Sequence, residues 1–516
     1  MSTEDQNKVV VTLKQGVDVD AFIEDMVSGT NHSEFMPGRK VELYNEKPDS
    51  LRNVDFVLTR EEAAQLSNDP RIIEVRYGTK KENGIELKSS VLEASRLYSK
   101  TTGLNNTHYN WGIPSCIAST NPFSSTTYNY AHSFTLSGRG VDIVISDSGI
   151  DPTHPEWLDY TGTTSRFQVL DWPTASGLSG TYTQSANHYT DPDGHGTHVA
   201  GTAAGRLYGW AKSANIYAIT VLDNPAAFGV SASFNMIRSW HNLKTTQANG
   251  YKRPTIVNCS WEYYATYANI TGGVYRGSPW SGNAPVSVYG MLQTIYNRQG
   301  TVGNYTYIHP VRVASVDADI ADAIAAGVII IGAAGNDAHK VDISSGSDYN
   351  NYYIDSVDGV KYYHRGGTPS AADGVIAVGS VRLTSPEAKS NFSNPGPRIQ
   401  LYAPGEAIMS AIPATSTQAT SAGTVAYPLN SSFKSTKLSG TSMASPQVVG
   451  VLACIAEARP SYGPADWEQW ITTDCTSSRL TDTGGGFTDT QSLQGGVNLY
   501  LKQPFARSEV YSITKS

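Results

Sequence analysis

The sequence contains few cysteines for its length. Its 516 residues include four, and no two of them have the CxxC spacing of a metal or redox motif. So few cysteines cannot form the disulfide framework that holds small secreted scaffolds together. We therefore predict four free, buried thiols, at Cys116, Cys259, Cys454 and Cys475.

The sequence also lacks long apolar runs and clusters of basic residues. No stretch of about 18 consecutive apolar residues could cross a bilayer, and the polar start MSTEDQNKVVV lacks the apolar segment of a secretion signal. The net charge is -8, and no cluster of lysines or arginines could follow a phosphate backbone. We expect neither a membrane nor a nucleic acid as a partner. The compartment stays open, because a cytoplasmic, a leaderless secreted and a virion-associated protein would all fit.

Motifs that bind metals or phosphate groups are absent too. His195 and His198 lie close together, but no third ligand follows at metal spacing and no HExxH occurs. The glycines at 484–486 lack the lysine of a P-loop. We predict no metal and no cofactor, and we expect His198 to be a packed helix residue.

The chain is longer than one hydrophobic core usually supports, which indicates a large domain with an accessory unit. Residues 1–80 have the pattern of the small unit, with Asp18 as the cap of one helix and a Thr59/Glu62 capping box at the start of another. The predicted elements are a strand at 9–13, a helix at 19–28, strands at 41–44 and 54–58, a helix to Leu66 and a strand at 72–77. This order is that of a ferredoxin-like α+β unit.

Residues 81–106 are polar and lack sustained periodicity, which is typical of a linker or processing region. From 107 to 500, short apolar strands alternate with helical patterns, and 501–516 form a tail. Strands buried on both faces and separated by helices predict an α/β fold with a doubly wound parallel sheet and flanking helices. In such sheets, functional residues lie at the carboxyl ends of the strands.

Three polar motifs follow predicted strands or begin predicted helices: Ser146-Asp147-Ser148-Gly149, Asp193-Gly194-His195-Gly196-Thr197-His198, and Gly440-Thr441-Ser442-Met443-Ala444. A serine hydroxyl becomes a nucleophile when an imidazole can accept its proton. The imidazole in turn needs a carboxylate that fixes its tautomer. Asp147, His195 and Ser442 supply these three parts.

The three motifs resemble those of the subtilisin-like serine proteases (subtilases), closest in pattern to proteinase K-like members. The chain order Asp, His, Ser agrees with that family and differs from chymotrypsin and from α/β-hydrolases. The resemblance implies a serine endopeptidase that acts on peptides or proteins, with Asn336, at the end of the predicted strand 328–332, as the oxyanion-hole donor. It covers roughly residues 111–458.

By the same resemblance, the N-terminal unit is an inhibitory propeptide, an intramolecular partner of the catalytic domain. Its C-terminal end would lie in the active site until self-cleavage between about residues 78 and 110. The alternative is a catalytically silent relative, for example a virion-associated one, that serves as a structural or interaction protein.

Several positions depart from the family pattern. Ser260-Trp261-Glu262-Tyr263 replaces the usual substrate-binding Ser-Leu-Gly-Gly, so the specificity pocket cannot be carried over, and Gln447 replaces a histidine. Glu156 aligns with a calcium ligand of subtilisins, but the loop that completes that site is missing, so we expect a surface carboxylate. Asp191 and Asp193 either favour basic substrate side chains or cap their loop. Two insertions, 263–317 and 339–367, are expected to shape the cleft or bind a partner.

Overall fold

The structure is a computed structural model. It describes residues 8–29, 35–44, 50–77, 84–87, 90–91, 110–117, 130–134, 136–159, 161–267, 270–281, 307–355, 359–363, 365–384, 386–421, 423–485, 489–503 and 506–510. Most of the predicted linker and half of the predicted tail lie outside these ranges.

The N-terminal unit has the predicted order of elements. They are β1 (Lys8–Leu13), α1 (Val19–Ser28), β2 (Glu42–Leu43), β3 (Asn53–Val57), α2 (Arg60–Leu66) and β4 (Ile72–Tyr77). The sheet order is β2-β3-β1-β4, and every pair is antiparallel. Both predicted helix caps are confirmed: the Asp18 side chain accepts from the Ala21 N–H, and Thr59 and Glu62 form the capping box. Phe22 and Met26 of α1 pack on the sheet.

The rest of the chain is built from further strands and helices. The strands are β5 (Gly84–Leu87), β6 (Ser90–Val91), β7 (Tyr130–Phe134), β8 (Asp142–Asp147), β9 (Asn215–Thr220), β10 (Thr255–Cys259), β11 (Trp261–Tyr267), β12 (Ile270–Tyr275), β13 (Ser278–Ser281), β14 (Tyr307–Pro310), β15 (Ile329–Ala333), β16 (Tyr352–Asp355), β17 (Lys361–Tyr363), β18 (Ile376–Val381), β19 (Leu401–Pro404), β20 (Ile408–Ile412), β21 (Val425–Tyr427), β22 (Asn430–Ser439), β23 (Thr476–Ser477), β24 (Leu499–Tyr500) and β25 (Ala506–Val510). The helices are α3 (Gly112–Ile117), α4 (Trp172–Ala175), α5 (His195–Ala204), α6 (Val230–Leu243), α7 (Ala314–Ala325), α8 (Thr441–Ala458) and α9 (Pro464–Asp474).

The central sheet has the order β23-β24-β19-β18-β15-β10-β8-β9. Apart from the antiparallel pair at β23, neighbouring strands are parallel, so the predicted α/β fold is confirmed. Alternate side chains of β8 point to opposite faces, as the strand period requires. Ile143 and Ile145 join the core formed with α5 and α8, whereas Val144 joins the core formed with α6 and α7. This double burial explains why the strands are almost entirely apolar.

The N-terminal unit packs against α7 through a largely buried polar contact. Arg52 Nε donates to Asp322 Oδ2 at 3.0 Å, and the Asn53 amide donates to the Ser315 carbonyl at 3.0 Å. The Ser50 hydroxyl donates to Asp319 Oδ1 at 2.6 Å. Buried polar groups need such partners, so these bonds fix where the unit sits on the larger domain.

Part of the predicted linker forms two short strands. β5 pairs antiparallel with β11, and β6 pairs antiparallel with the end of β22. The prediction of a linker or processing region gave no strands here, and it stays a prediction for residues 81–106 as a whole. The strand geometry of β5 and β6 comes from partners in the larger domain, which local periodicity does not reveal.

The two insertions contribute to one small sheet of order β13-β12-β16-β17, in which β12 from the first pairs with β16 from the second. All four cysteines are free and buried, as predicted. Among the residues with described positions, no helix combines the length and apolar character that a bilayer crossing needs.

Candidate active site

Each of the three motif residues lies where a main element of the fold ends or begins. Asp147 is the last residue of β8, His195 is the first residue of α5, and Ser442 is the second residue of α8. Gly194, just before His195, has a φ of 98°, which a residue with a side chain rarely adopts. All three side chains are fully buried.

Asp147 and His195 are in direct contact. His195 Nδ1 lies 2.7 Å from Asp147 Oδ1, and the Ser148 N–H donates to the same oxygen at 2.8 Å. Burial alone would lower the pKa of His195, but the nearby charges of Asp147, Asp193 and Asp191 and the hydrogen bond to Asp147 outweigh it. The pKa of His195 is therefore raised. The contact favours the tautomer with the proton on Nδ1, which leaves Nε2 as the basic nitrogen.

The Ser442 hydroxyl donates to the Ser260 carbonyl at 3.0 Å rather than to His195. In the part of the chain that is described, His195 Nε2 is buried and makes no hydrogen bond. The structure thus brings Asp147 and His195 into contact, whereas the Ser442 hydroxyl points toward the Ser260 carbonyl and not toward His195. Ser260 Oγ donates in turn to the Ser442 carbonyl at 3.0 Å, which fixes the start of α8 against β10.

Asn336 follows β15 and points its side-chain oxygen at the start of α8. Oδ1 accepts hydrogen bonds from the Thr441 N–H and from the Thr441 hydroxyl, each at 2.9 Å. These two bonds occupy Oδ1 and leave Nδ2 as the end of the side chain that Thr441 does not contact. Asn336 therefore contacts Thr441, the residue that directly precedes Ser442.

The contacts of Asp191 show whether it caps its loop or is left to attract basic substrate side chains. Asp191 is buried and accepts hydrogen bonds from the Ser148 hydroxyl, the Gly194 N–H, and both the N–H and the hydroxyl of Thr197. Burial raises the pKa of Asp191 to about 6. This residue therefore caps the loop before α5. Asp193 accepts from the His195 N–H at 3.1 Å.

The expectation that Glu156 lies at the surface is wrong. Its carboxylate is fully buried, accepts from the N–H groups of Leu207 and Tyr208 at 2.9 and 2.8 Å, and accepts from the Tyr427 hydroxyl at 2.6 Å. Burial raises the pKa of Glu156. The carboxylate holds the turn after α5 against β21, a role for which the aligned calcium loop is not needed.

Two other residues that the sequence singled out are structural. His198 Nε2 lies 3.0 Å from the Ile408 carbonyl, and burial lowers the pKa of His198 to about 3. Gln447 accepts from Trp210 Nε1 at 2.7 Å and donates to Asn110 Oδ1 at 3.0 Å. Among the described residues, no group of three His, Cys, Asp or Glu side chains is placed to hold a metal ion.

Glu262 on β11 lies near the site, and the sequence suggested no role for it. Its side chain is fully buried between Gly335 and Gly367: a Cβ atom added to either glycine would lie 3.1 Å from Glu262 Oε2. Gly335 directly precedes Asn336, so this carboxylate lies beside the segment that carries the amide. The signal in the sequence was the acidic residue at a position where the family has glycine.

Comparisons with known proteins identify the family of the chain. Residues 138–495 match the model of the Subtilase family, peptidase S8. The chain is 25% identical over 408 residues to Subtilisin-like protease 5 of Arthroderma otae, which covers 78% of this chain and 69% of the relative. It is 30% identical over 319 residues to Subtilisin-like protease 3 of Trichophyton equinum, which covers 62% of this chain and 53% of the relative.

Among solved structures, fervidolysin from Fervidobacterium pennivorans, a keratinolytic enzyme related to subtilisin, has a similar fold. The TM-score is 0.50 at 18% sequence identity, over 96% of this chain and 60% of fervidolysin. The family model and the relatives define a serine peptidase. Because the family model matches more than half of its length, the chain belongs to the subtilase family.

Proposed function

We propose that this peptidase hydrolyses peptide bonds with Ser442 as nucleophile, His195 as general base and then general acid, and Asp147 as the group that orients His195. The 2.7 Å contact between Asp147 and His195 carries the proposal. It leaves Nε2 free to take the proton of a serine hydroxyl. The reaction requires the Ser442 hydroxyl to rotate from the Ser260 carbonyl toward His195.

In the first half of the reaction, Ser442 Oγ bonds to the substrate carbonyl carbon while His195 takes its proton. The negative charge on the carbonyl oxygen is stabilised by the Asn336 amide and by the Ser442 N–H at the start of α8. His195 then protonates the leaving amine, and the C–N bond breaks. Water attacks the resulting ester with His195 as base, which releases the acid and restores Ser442.

We further propose that residues 1–80 are an inhibitory propeptide and that the enzyme processes itself. The hydrogen bonds from Ser50, Arg52 and Asn53 to the α7 region support binding of this unit to the catalytic domain. Pairing of β5 with β11 and of β6 with β22 supports an inhibitory position, because both partner strands border the site. These pairings hold the segment that follows residues 1–80 beside the site, where we expect it to compete with substrate.

The test compares the proteolytic activity of the wild type with Ser442→Ala, Asp147→Asn and the exposed control Ser431→Ala. Ser442→Ala should abolish hydrolysis of a peptide substrate, and Asp147→Asn should lower kcat on the order of 10⁴-fold because the imidazole loses its orienting charge. Ser431→Ala should behave as wild type. Full activity of Ser442→Ala would favour the alternative of a silent relative with a contaminating protease.

A further inference from the structure

A cleft lies where the N-terminal unit meets the larger domain, and we call it the junction cleft. Its volume is about 840 Å³, within the range of about 300–1,000 Å³ that is typical of ligand sites. The N-terminal unit lines it through Ile73, Glu74 and Arg76 of β4, and the larger domain lines it through Lys361 of β17 and through Arg365. Residues of β14 and α7 complete the lining, and none of the lining residues belongs to the proposed catalytic site.

Two edge strands line the junction cleft. β4 is the last strand in the sheet order β2-β3-β1-β4, and β17 is the last in the order β13-β12-β16-β17. Within the described ranges, no strand pairs with the outer edge of either one. The backbone N–H and C=O groups of an edge strand can pair with an extended peptide, which then joins the sheet as one more strand. The cleft therefore suits an extended chain better than a compact ligand.

Apolar side chains are exposed in the same cleft. Ile73 on β4 has 49% of its surface exposed, and Val360, which directly precedes β17, has 44%. Single exposed apolar side chains are common, but these two come from different parts of the chain and line one cleft. A bound peptide with apolar side chains would remove both from water.

The charge of the lining favours an anionic ligand. Basic side chains outnumber acidic ones there, although the whole chain has a net charge of -8. Arg312 is compensated, because its Nε donates to Asp317 Oδ2 at 2.8 Å. The Nε of Arg76 is buried and makes no hydrogen bond in the part of the chain that is described. Glu74, two residues away on β4, attracts Arg76, but burial raises the pKa of Glu74 and so favours its neutral form. A peptide carboxylate would supply the hydrogen-bond partner that Arg76 Nε lacks.

Arg365 presents a second guanidinium group to the cleft. Its central carbon lies 4.5 Å from the centre of the Tyr349 ring and 3.9 Å from the centre of the Tyr363 ring. Its Nη2 donates to Asn350 Oδ1 at 2.8 Å. A guanidinium held in this way loses little further freedom when its planar fork binds a carboxylate. Together with the exposed Lys361, it makes the lining around β17 basic.

We propose that the junction cleft binds an extended acidic peptide of a partner protein, which adds as a strand along β4. Its carboxylates pair with Arg76 and Arg365, and its apolar side chains cover Ile73 and Val360. β4 belongs to the N-terminal unit, so only chains that retain this unit bind the peptide. The bound peptide in turn holds the unit on the larger domain, because it contacts both. This binding needs no catalysis and is independent of the proposed function of Ser442.

The first experiment titrates labelled peptides into the full chain with Ser442→Ala, which should leave them uncut. The probe is an acetylated, amidated peptide of three Val-Glu repeats, and its analogues carry glutamine or lysine in place of glutamate. The Val-Glu peptide should bind saturably and on the order of 10-fold more tightly than the glutamine analogue, with the lysine analogue weakest. No binding of the Val-Glu peptide, or equal binding of all three, overturns the inference. Free glutamate that displaces the probe as well as the unlabelled peptide does would indicate a small carboxylate ligand, which also overturns it.

The second experiment locates the bound peptide, with each change made in Ser442→Ala. Arg76→Gln and Arg365→Gln should each weaken binding of the Val-Glu peptide on the order of 10-fold. Arg60→Gln and Arg139→Gln remove exposed arginines outside the cleft and should have no effect. Lys361→Glu reverses an exposed charge of the lining and should shift the preference toward the lysine analogue, a gain that misfolding would not produce. Binding that no cleft variant changes would place the peptide elsewhere, for example in the active site. That result overturns the inference and leaves the proposed function of Ser442 intact.

Discussion

Arg52 of the N-terminal unit donates to Asp322 on α7 at 3.0 Å, and both side chains are more than 90% buried. Removal of one partner of a buried pair costs about 3–5 kcal/mol where the other charge is left uncompensated. Here Arg238 Nη1, 4.0 Å from Asp322 Oδ2, keeps part of the compensation, so the expected cost of losing Arg52 is smaller. The ion pair nevertheless anchors the N-terminal unit on the catalytic domain.

Arg52→Ala should loosen the N-terminal unit, which we propose to be inhibitory, in the full chain. We expect the variant to react with a fluorophosphonate probe roughly 10-fold faster than wild type before any processing, because Arg238 offsets part of the lost binding free energy. Arg60→Ala, which removes an exposed arginine from α2 of the same unit, is the control. If both variants react at the wild-type rate, the unit does not inhibit through this contact.

The acid limb of the pH dependence of kcat/KM should reflect the protonation of His195. His195 must be neutral to accept a proton, so kcat/KM should rise with pH through its pKa, which the charges of Asp147, Asp193 and Asp191 raise. Asp193→Asn removes one negative charge and should shift the limb to lower pH. Asp474→Asn, an exposed acid at the end of α9, should not shift it. A limb at the same pH in both variants would contradict the electrostatic account.

Asn336→Leu should lower kcat on the order of 10²–10³-fold with little change in KM, because the donated hydrogen bond matters most in the transition state. Thr441→Val removes one of the two donors to Asn336 Oδ1 but keeps the amide. It should therefore cost far less. Equal losses in the two variants would mean that Asn336 acts by positioning Thr441.

Gln447→Leu should destabilise the fold without a change in the chemistry. The buried Trp210 and Asn110 would lose a partner each, at a cost of about 1–3 kcal/mol per unsatisfied group. The change in the free energy of unfolding is measured by urea unfolding of Ser442→Ala with and without Gln447→Leu, because Ser442→Ala should not cleave itself. The exposed Gln247→Leu is the matched control. An unchanged midpoint for Gln447→Leu would contradict the structural role.

The sequence predicted most of the large domain because its signals are local. β15 begins and ends within one residue of the predicted strand 328–332, and Asp147, His195 and Ser442 lie at the strand end and the helix starts that their motifs indicated. Their catalytic roles stay predictions that the variants above test.

Features that depend on distant partners could not be predicted. Glu156 is buried because Tyr427, far along the chain, donates to it. β5 becomes a strand because β11 offers an edge for pairing, and its own alternation, Ile85-Glu86-Leu87, is too short to predict a strand by itself. The face to which Glu262 points depends on the register of that same edge. Burial and register of this kind are set by tertiary contacts rather than by local propensity.

The most direct test of the central claim is to treat the enzyme with a fluorophosphonate and to locate the adduct by peptide mapping. We predict one adduct per active chain, on the peptide that contains Ser442, with none in Ser442→Ala. An adduct on another serine, or equal labelling of Ser442→Ala, would contradict the assignment of Ser442 as the nucleophile.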